Sequence, residues 1–179
     1  MFYFVEDFPQ IEENTRTVII SKKIIGNLSL LKCYNDNLLF PDFFGYNFDA
    51  FYDCMVHLNC YFPEQEVKIC HESLPSLNDK DMQIYLDTLN LVDVEWERDT
   101  ERIELFQQYA RNHPEKVITG GASCDNYSSK IFNVYFRKRD ESFVKDILHN
   151  YSWDYRKCMQ FDETGMMDIK YTDRYPRDE

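Results

Sequence analysis

Leu38-Leu-Phe-Pro-Asp-Phe-Phe-Gly-Tyr-Asn-Phe-Asp-Ala-Phe-Tyr-Asp-Cys-Met55 is the stretch on which the reading of this chain turns. Pro41 and Gly45 punctuate a turn dense in aromatic residues. Asn47 is a good helix N-cap, because its side chain can accept the amide hydrogen bonds left free in a first turn. The helix that follows is expected from Phe48 to about Leu58. Phe48, Phe51, Met55 and Leu58 recur at spacings of 3, 4 and 3 and form its apolar stripe. Asp49 and Asp53, four residues apart, share another face, with Tyr52 and Asp42 near it.

Upstream, the β-branched run Thr17 to Ile25 reads as a strand that Gly26 and Asn27 break. Leu28, Leu30, Leu31 and Tyr34 then predict a short helix from about Asn27 to Asp36. Downstream, Glu66 to Cys70 alternates as a second strand. Asn78 is placed to cap a helix lined by Met82, Tyr85, Leu86 and Leu89. A further helix is expected from about Asp99 to Asn112, burying Ile103, Phe106 and Ala110, with Pro114 ending it. Val117 to Thr119 reads as a short strand, and Lys130 to Lys138 as a third main strand. A tail helix, Glu141 to Asn150, and a last strand, Met167 to Tyr171, complete the pattern.

Strands separated by helices predict an α/β layer with a parallel sheet and right-handed crossovers. Residues 1–16 show no clear periodicity, and their structure stays open. The charged run Arg137-Lys-Arg-Asp-Glu141 reads as a seam. The expected division is therefore an N-terminal segment 1–16, a main domain 17–138 and a C-terminal extension 139–179.

The 179 residues carry 44% hydrophobic and 16% aromatic residues, enough for a real core. Their 32 acids against 20 bases leave a net charge of −12. That sign argues against direct binding to nucleic acid, and it favours a basic partner or plain solubility. The start Met-Phe-Tyr-Phe-Val-Glu-Asp lacks the basic and apolar segments of a secretion signal, and no run reaches the roughly 20 apolar residues of a membrane span. A cytoplasmic location without membrane contact is expected. The six cysteines form no CxxC pair and are read as buried thiols, with no metal or other cofactor.

Between Cys33 and Val67 there are six acids (Asp36, Asp42, Asp49, Asp53, Glu64 and Glu66) and no lysine or arginine. Asp49 and Asp53 repel each other along the helix, which costs a few tenths of a kcal/mol. Asp49 recovers part of this from the helix dipole in the first turn. On charge alone, this is a solvated acidic face or a surface prepared to meet positive charge.

The run from Pro41 to Met55 resembles the signature of the barstar family, intracellular inhibitors of secreted bacterial ribonucleases. Gly45, Asn47, Asp49, Ala50, Asp53 and Cys54 match its identities directly. The upstream strand and helix stand at the distance from Pro41 that the family would require. The resemblance implies a three-stranded parallel sheet packed by helices, over the domain 17–138. It also implies that the Asn47 helix and its loop plug a ribonuclease active site, with Asp49 and Asp53 as the principal anionic contacts. Phe43 stands where the family often has a tyrosine that packs on a catalytic histidine. Tyr52 stands where an aromatic helps form the interface, Tyr46 and Asp42 flank it, and Gly45 keeps the loop low. Gln108 takes the place of a further contacting acid in a later helix, unless a slipped register brings Glu104 or Glu101 there.

The expected function is thus a cytoplasmic immunity protein that occludes a basic nuclease toxin, most naturally an RNase, with no catalytic residues of its own. Two rivals use the same residues. One is a regulatory binding module built on the same acidic surface. The other is a metal-dependent hydrolase using Asp49, Asp53 and His57, at i, i+4 and i+8, with His71-Glu72 as a complement. No P-loop, GxGxxG, GxSxG or HExxH pattern supports an enzyme. Tyr127, Tyr151, Trp153 and Tyr155 are read as core or tail packing.

Overall fold

A computed structural model describes residues 1–10, 12–58, 64, 66–112, 131–151, 160–161 and 167–168. The expected strand at Val117 to Thr119, the cysteines 60, 124 and 158, and the aromatic residues 127, 153 and 155 lie outside them. By contacts, the chain divides into two compact units. One comprises Met1–Trp96 with Lys130–Ser152, and the other Glu97–Ser129 with Trp153–Glu179.

The first unit is built on a sheet of four strands, β1 (Phe2–Val5), β2 (Thr15–Ile20), β3 (Glu66–His71) and β4 (Ile131–Arg137). Their order is β1-β4-β3-β2, and every neighbouring pair is parallel. The α/β class and the parallel sheet agree with the sequence reading. The strand count of three is corrected to four, because the aromatic segment Phe2–Val5 pairs with Val134–Arg137 as an edge strand. Four residues are too few for a visible alternation, and their partner lies at the far end of the domain. Strand β2 is shorter than expected and stops at Ile20, before the turn that leads into the first helix.

Register explains the two faces of the sheet. Val18, Ile69 and Val134 form one cross-strand row, and Ile20, His71 and Phe136 another; all are buried. The alternate row Ile19, Cys70 and Tyr135 belongs to the opposite face, and Ile19 is exposed there. On that face Lys68 is buried, with its ammonium 3.1 Å from the Glu66 carboxylate, which also accepts a 2.7 Å bond from Asn133.

Helix α1 (Gly26–Leu38) buries Leu30, Leu31, Tyr34 and Leu38. Leu28, expected on that stripe, is exposed instead, because the buried set is centred one residue further round the helix. Helix α2 (Phe48–Val56) buries Phe51, Cys54 and Met55. Withdrawing such large side chains from water contributes about 1.5–3 kcal/mol each.

Helix α3 (Asp79–Asn112) is a single helix of 34 residues where two were expected. Val92, Val94 and Trp96, at a period of two, resemble an interruption of the helical pattern. All three are buried, as are Leu89 and Asp93, so the helix is covered on more than one side here and keeps no simple stripe. No glycine or proline occurs between Asp79 and Asn112 to break it. Asn78 accepts from the Asp81 amide at 2.9 Å and donates to the Asp81 carboxylate at 2.6 Å, which caps α3 at its expected start.

Helix α4 (Glu141–Tyr151) follows β4 through a 3-10 turn, Lys138–Asp140, and buries Val144 against the core. The charged run Arg137–Glu141 spans the end of β4, this turn and the first residue of α4. In the second unit, β5 (Gln160–Phe161) and β6 (Met167–Asp168) pair antiparallel.

Candidate partner-binding surface on the second helix and its loop

Helix α2 is held from three directions. At its start, Asn47 Oδ1 accepts from the Ala50 amide at 2.8 Å, the expected cap. At its end, buried Trp96 donates from Nε1 to the Met55 carbonyl at 3.1 Å, satisfying one of the acceptors a helix end leaves free. Along its inner side, Phe51 packs on Tyr34 with ring centroids 4.5 Å apart.

Behind Phe51 lies a buried polar chain. His71 Nδ1 is 3.1 Å from the Tyr135 carbonyl, so that nitrogen carries the proton and donates. His71 Nε2 then accepts from the Tyr85 hydroxyl at 2.7 Å. With its own proton committed, Tyr85 accepts from the Tyr34 hydroxyl at 2.7 Å. One arrangement of protons therefore satisfies every member. Burial pushes the His71 pKa down to about 3, so the imidazole is neutral. His71 also stacks on Phe136 at 4.2 Å. This corrects the reading of His71-Glu72 as part of an acid–base site: His71 is fully buried and spent on structure.

The outer side is different. Asp49 and Asp53 are both exposed on one face of α2, and Asp42 is exposed in the loop before it. None of the three makes an ion pair with a described cation. Tyr52 is half-buried and packs against the core. His57 Nδ1 is 2.7 Å from the Asp53 carbonyl at the end of the helix, which occupies that nitrogen with backbone. Among the described residues, no three His, Cys, Asp or Glu groups come together to hold a metal ion. Cys54 is buried, and its thiol pKa is raised, first by burial and then by the charge of Asp53. That is the environment of a packing thiol, not of a nucleophile.

The loop from Leu39 to Asn47 is pinned by two buried aromatic side chains. Phe40 and Phe44 are buried, with ring centroids 4.8 Å apart, and the Phe44 amide bonds to the Pro41 carbonyl at 2.8 Å. Between them Phe43 stands out, 81% exposed. Tyr46 is exposed and has a left-handed backbone, φ 49°. Its hydroxyl accepts from Asn35 of α1 at 3.0 Å, and its ring contacts Phe44. Gly45 has a local reason to be glycine: a Cβ there would lie 3.0 Å from the Asn47 amide nitrogen, against the side chain that caps α2.

Loop and helix thus bring together Asp42, Phe43, Gly45, Tyr46, Asp49, Tyr52 and Asp53. Gln108, Glu104 and Glu101 are exposed on the distal part of α3, which belongs to the other compact unit. Sequence reasoning missed Leu39, which is exposed and left-handed at the end of α1, because the expected helix stopped three residues short of it. A run of two leucines and a phenylalanine before a proline was the available signal.

Among the described residues, no helix is long and apolar enough to cross a membrane. No curated protein and no solved structure matches the chain. A family model, barstar (barnase inhibitor), matches residues 16–108, from the second strand through α1, α2, β3 and most of α3. That span is more than half of the chain and contains the whole acidic loop and helix, and so the chain belongs to the barstar (barnase inhibitor) family.

Proposed function

We propose that this chain is a cytoplasmic immunity protein that binds a basic nuclease toxin and occludes its active site with α2 and the loop before it. A barstar domain implies an inhibitor of a ribonuclease, not an enzyme. The observation that carries the finer reading is the exposed set Asp42, Asp49 and Asp53, unpaired with any described cation and held on a helix fixed at both ends. A nuclease that binds RNA needs cations where phosphate sits, and carboxylates on a rigid support can take that place.

In this reading Asp49 and Asp53 carry the main charge contacts. Phe43, Tyr46, Tyr52 and Asp42 surround them, and Gly45 lets the loop approach closely. Opposite potentials also speed encounter, so association should slow as salt rises. The test is co-purification of the full chain with the product of the adjacent gene, followed by an RNase assay with and without the chain. Inhibition by wild type and none by D49A/D53A is the expected result. Equal inhibition by both would remove the acidic helix from the interface.

A further inference from the structure

Charge alone selects poorly among basic proteins, so the surface around the carboxylates must supply discrimination. Leu39 is 69% exposed, and its backbone lies in the left-handed region, φ 51° and ψ 54°. Leucine is doubly out of place there. Glycine or asparagine would fit the left-handed helix end with less strain, and either would expose less apolar surface to water. The position is nevertheless well defined: the Leu39 amide bonds to the Asn35 carbonyl at 2.8 Å. The Asn35 side chain in turn holds the Tyr46 hydroxyl, so Leu39 and Tyr46, both left-handed and exposed, are tied to the same residue of α1. Phe43 projects from the same pinned loop.

Resting on the reading of α2 as an active-site plug, we propose that Leu39, with Phe43 and Tyr46, forms an apolar rim that seats on a nonpolar shelf beside the cationic cleft of the nuclease. Leu39 then helps to determine which nuclease is accepted. The acidic loop and helix favour this occupant over a second copy of the chain. Two copies meeting here would bring Asp42, Asp49 and Asp53 of each against the same charges of the other, with no described lysine or arginine between residues 33 and 67 to relieve them.

The test uses the full-length chain as L39G and L39N, with D49A/D53A as the control for the underlying reading and L28A as the control for an exposed leucine elsewhere on α1. The probes are catalytically inactive barnase and the inactive product of the adjacent gene, with on- and off-rates read on a biosensor. Both Leu39 variants should raise Tm by roughly 2–4 °C. They should also weaken binding about tenfold, chiefly through a faster off-rate, while L28A changes nothing. Tighter folding with weaker binding cannot come from unfolding.

Leu39 variants that bind like wild type, while D49A/D53A does not bind, would overturn the rim and leave the plug standing. An L28A loss equal to that of L39N would overturn it too. So would concentration-dependent self-association of wild type that L39N abolishes, because the rim would then belong to a second copy. Failure of wild type to bind either probe, or equal binding by D49A/D53A, would sink the plug itself and the rim with it.

Discussion

The inner and outer sides of α2 treat polar atoms in opposite ways. Inside, Phe51 rests on a chain of Tyr34, Tyr85 and His71 in which every proton donor has an acceptor and the protons have one consistent placement. Outside, Asp49 and Asp53 stand at like-charge spacing in solvent without a described cation. A chain selected only for stability would put a lysine or arginine near such a pair. The contrast separates what holds the helix from what the helix presents. It also means that the two sides should fail independently.

The largest effect should come from the outer side. D49A/D53A should lose on the order of 3–5 kcal/mol of binding to the nuclease, a hundredfold or more, since its cations would be buried without partners. Stability should hold or rise by a few tenths of a kcal/mol, because the repulsion along α2 disappears. Calorimetric titration beside urea denaturation would read both.

Y85F should do the reverse. It leaves His71 Nε2 without a donor and the Tyr34 hydroxyl without its acceptor, at a cost of about 2–4 kcal/mol in unfolding free energy. Affinity per folded molecule should change by less than about threefold. A large affinity loss in Y85F would show that the two sides are coupled after all.

Acid sharpens the same point. The His71 pKa falls from 6.5 in the unfolded chain to about 3 in the fold, so the unfolded chain takes up the proton first. This contribution to stability is complete above 6.5, erodes as pH drops, and is gone below about 3. Asp87, raised by burial from 3.8 to about 6, acts in the opposite sense over its own window. Wild type is therefore best compared with H71Q, in which Asp87 is unchanged. Between pH 6.5 and about 5, before most carboxylates titrate, urea midpoints of wild type should fall relative to those of H71Q. Parallel curves would mean that His71 is not held neutral by the fold.

The smallest effect belongs to the one residue that serves both sides. N47A removes the cap of α2 and should cost about 1 kcal/mol of stability, with a still smaller loss of affinity from a frayed first turn. Thermal melts and the same titration would check it.

Much of this was legible in the sequence, for local reasons. The Asn47 cap, the Phe51 and Met55 stripe and the Asp49–Asp53 pair all follow from spacings within one helix. Strands β2, β3 and β4 announced themselves by composition. What was hidden depends on distant partners. Phe2–Val5 becomes a strand only through β4. His71 looked available for chemistry until Tyr85, Phe136 and the Tyr135 carbonyl enclosed it. The middle of α3 hid its continuity because burial on several sides erases periodicity. Leu39 escaped notice because its exposure and left-handed backbone depend on where α1 ends, and the expected helix stopped three residues short of it.

The edge position of β1 has a consequence for the order in which the molecule assembles. Pairing Phe2 with Val134 closes a loop of about 130 residues, among the most entropically demanding contacts in the first unit. The contacts that grip α2 through Tyr34, Tyr85 and Trp96 span far shorter stretches. Loop-closure entropy therefore favours organising the acidic helix before β1 pairs with β4.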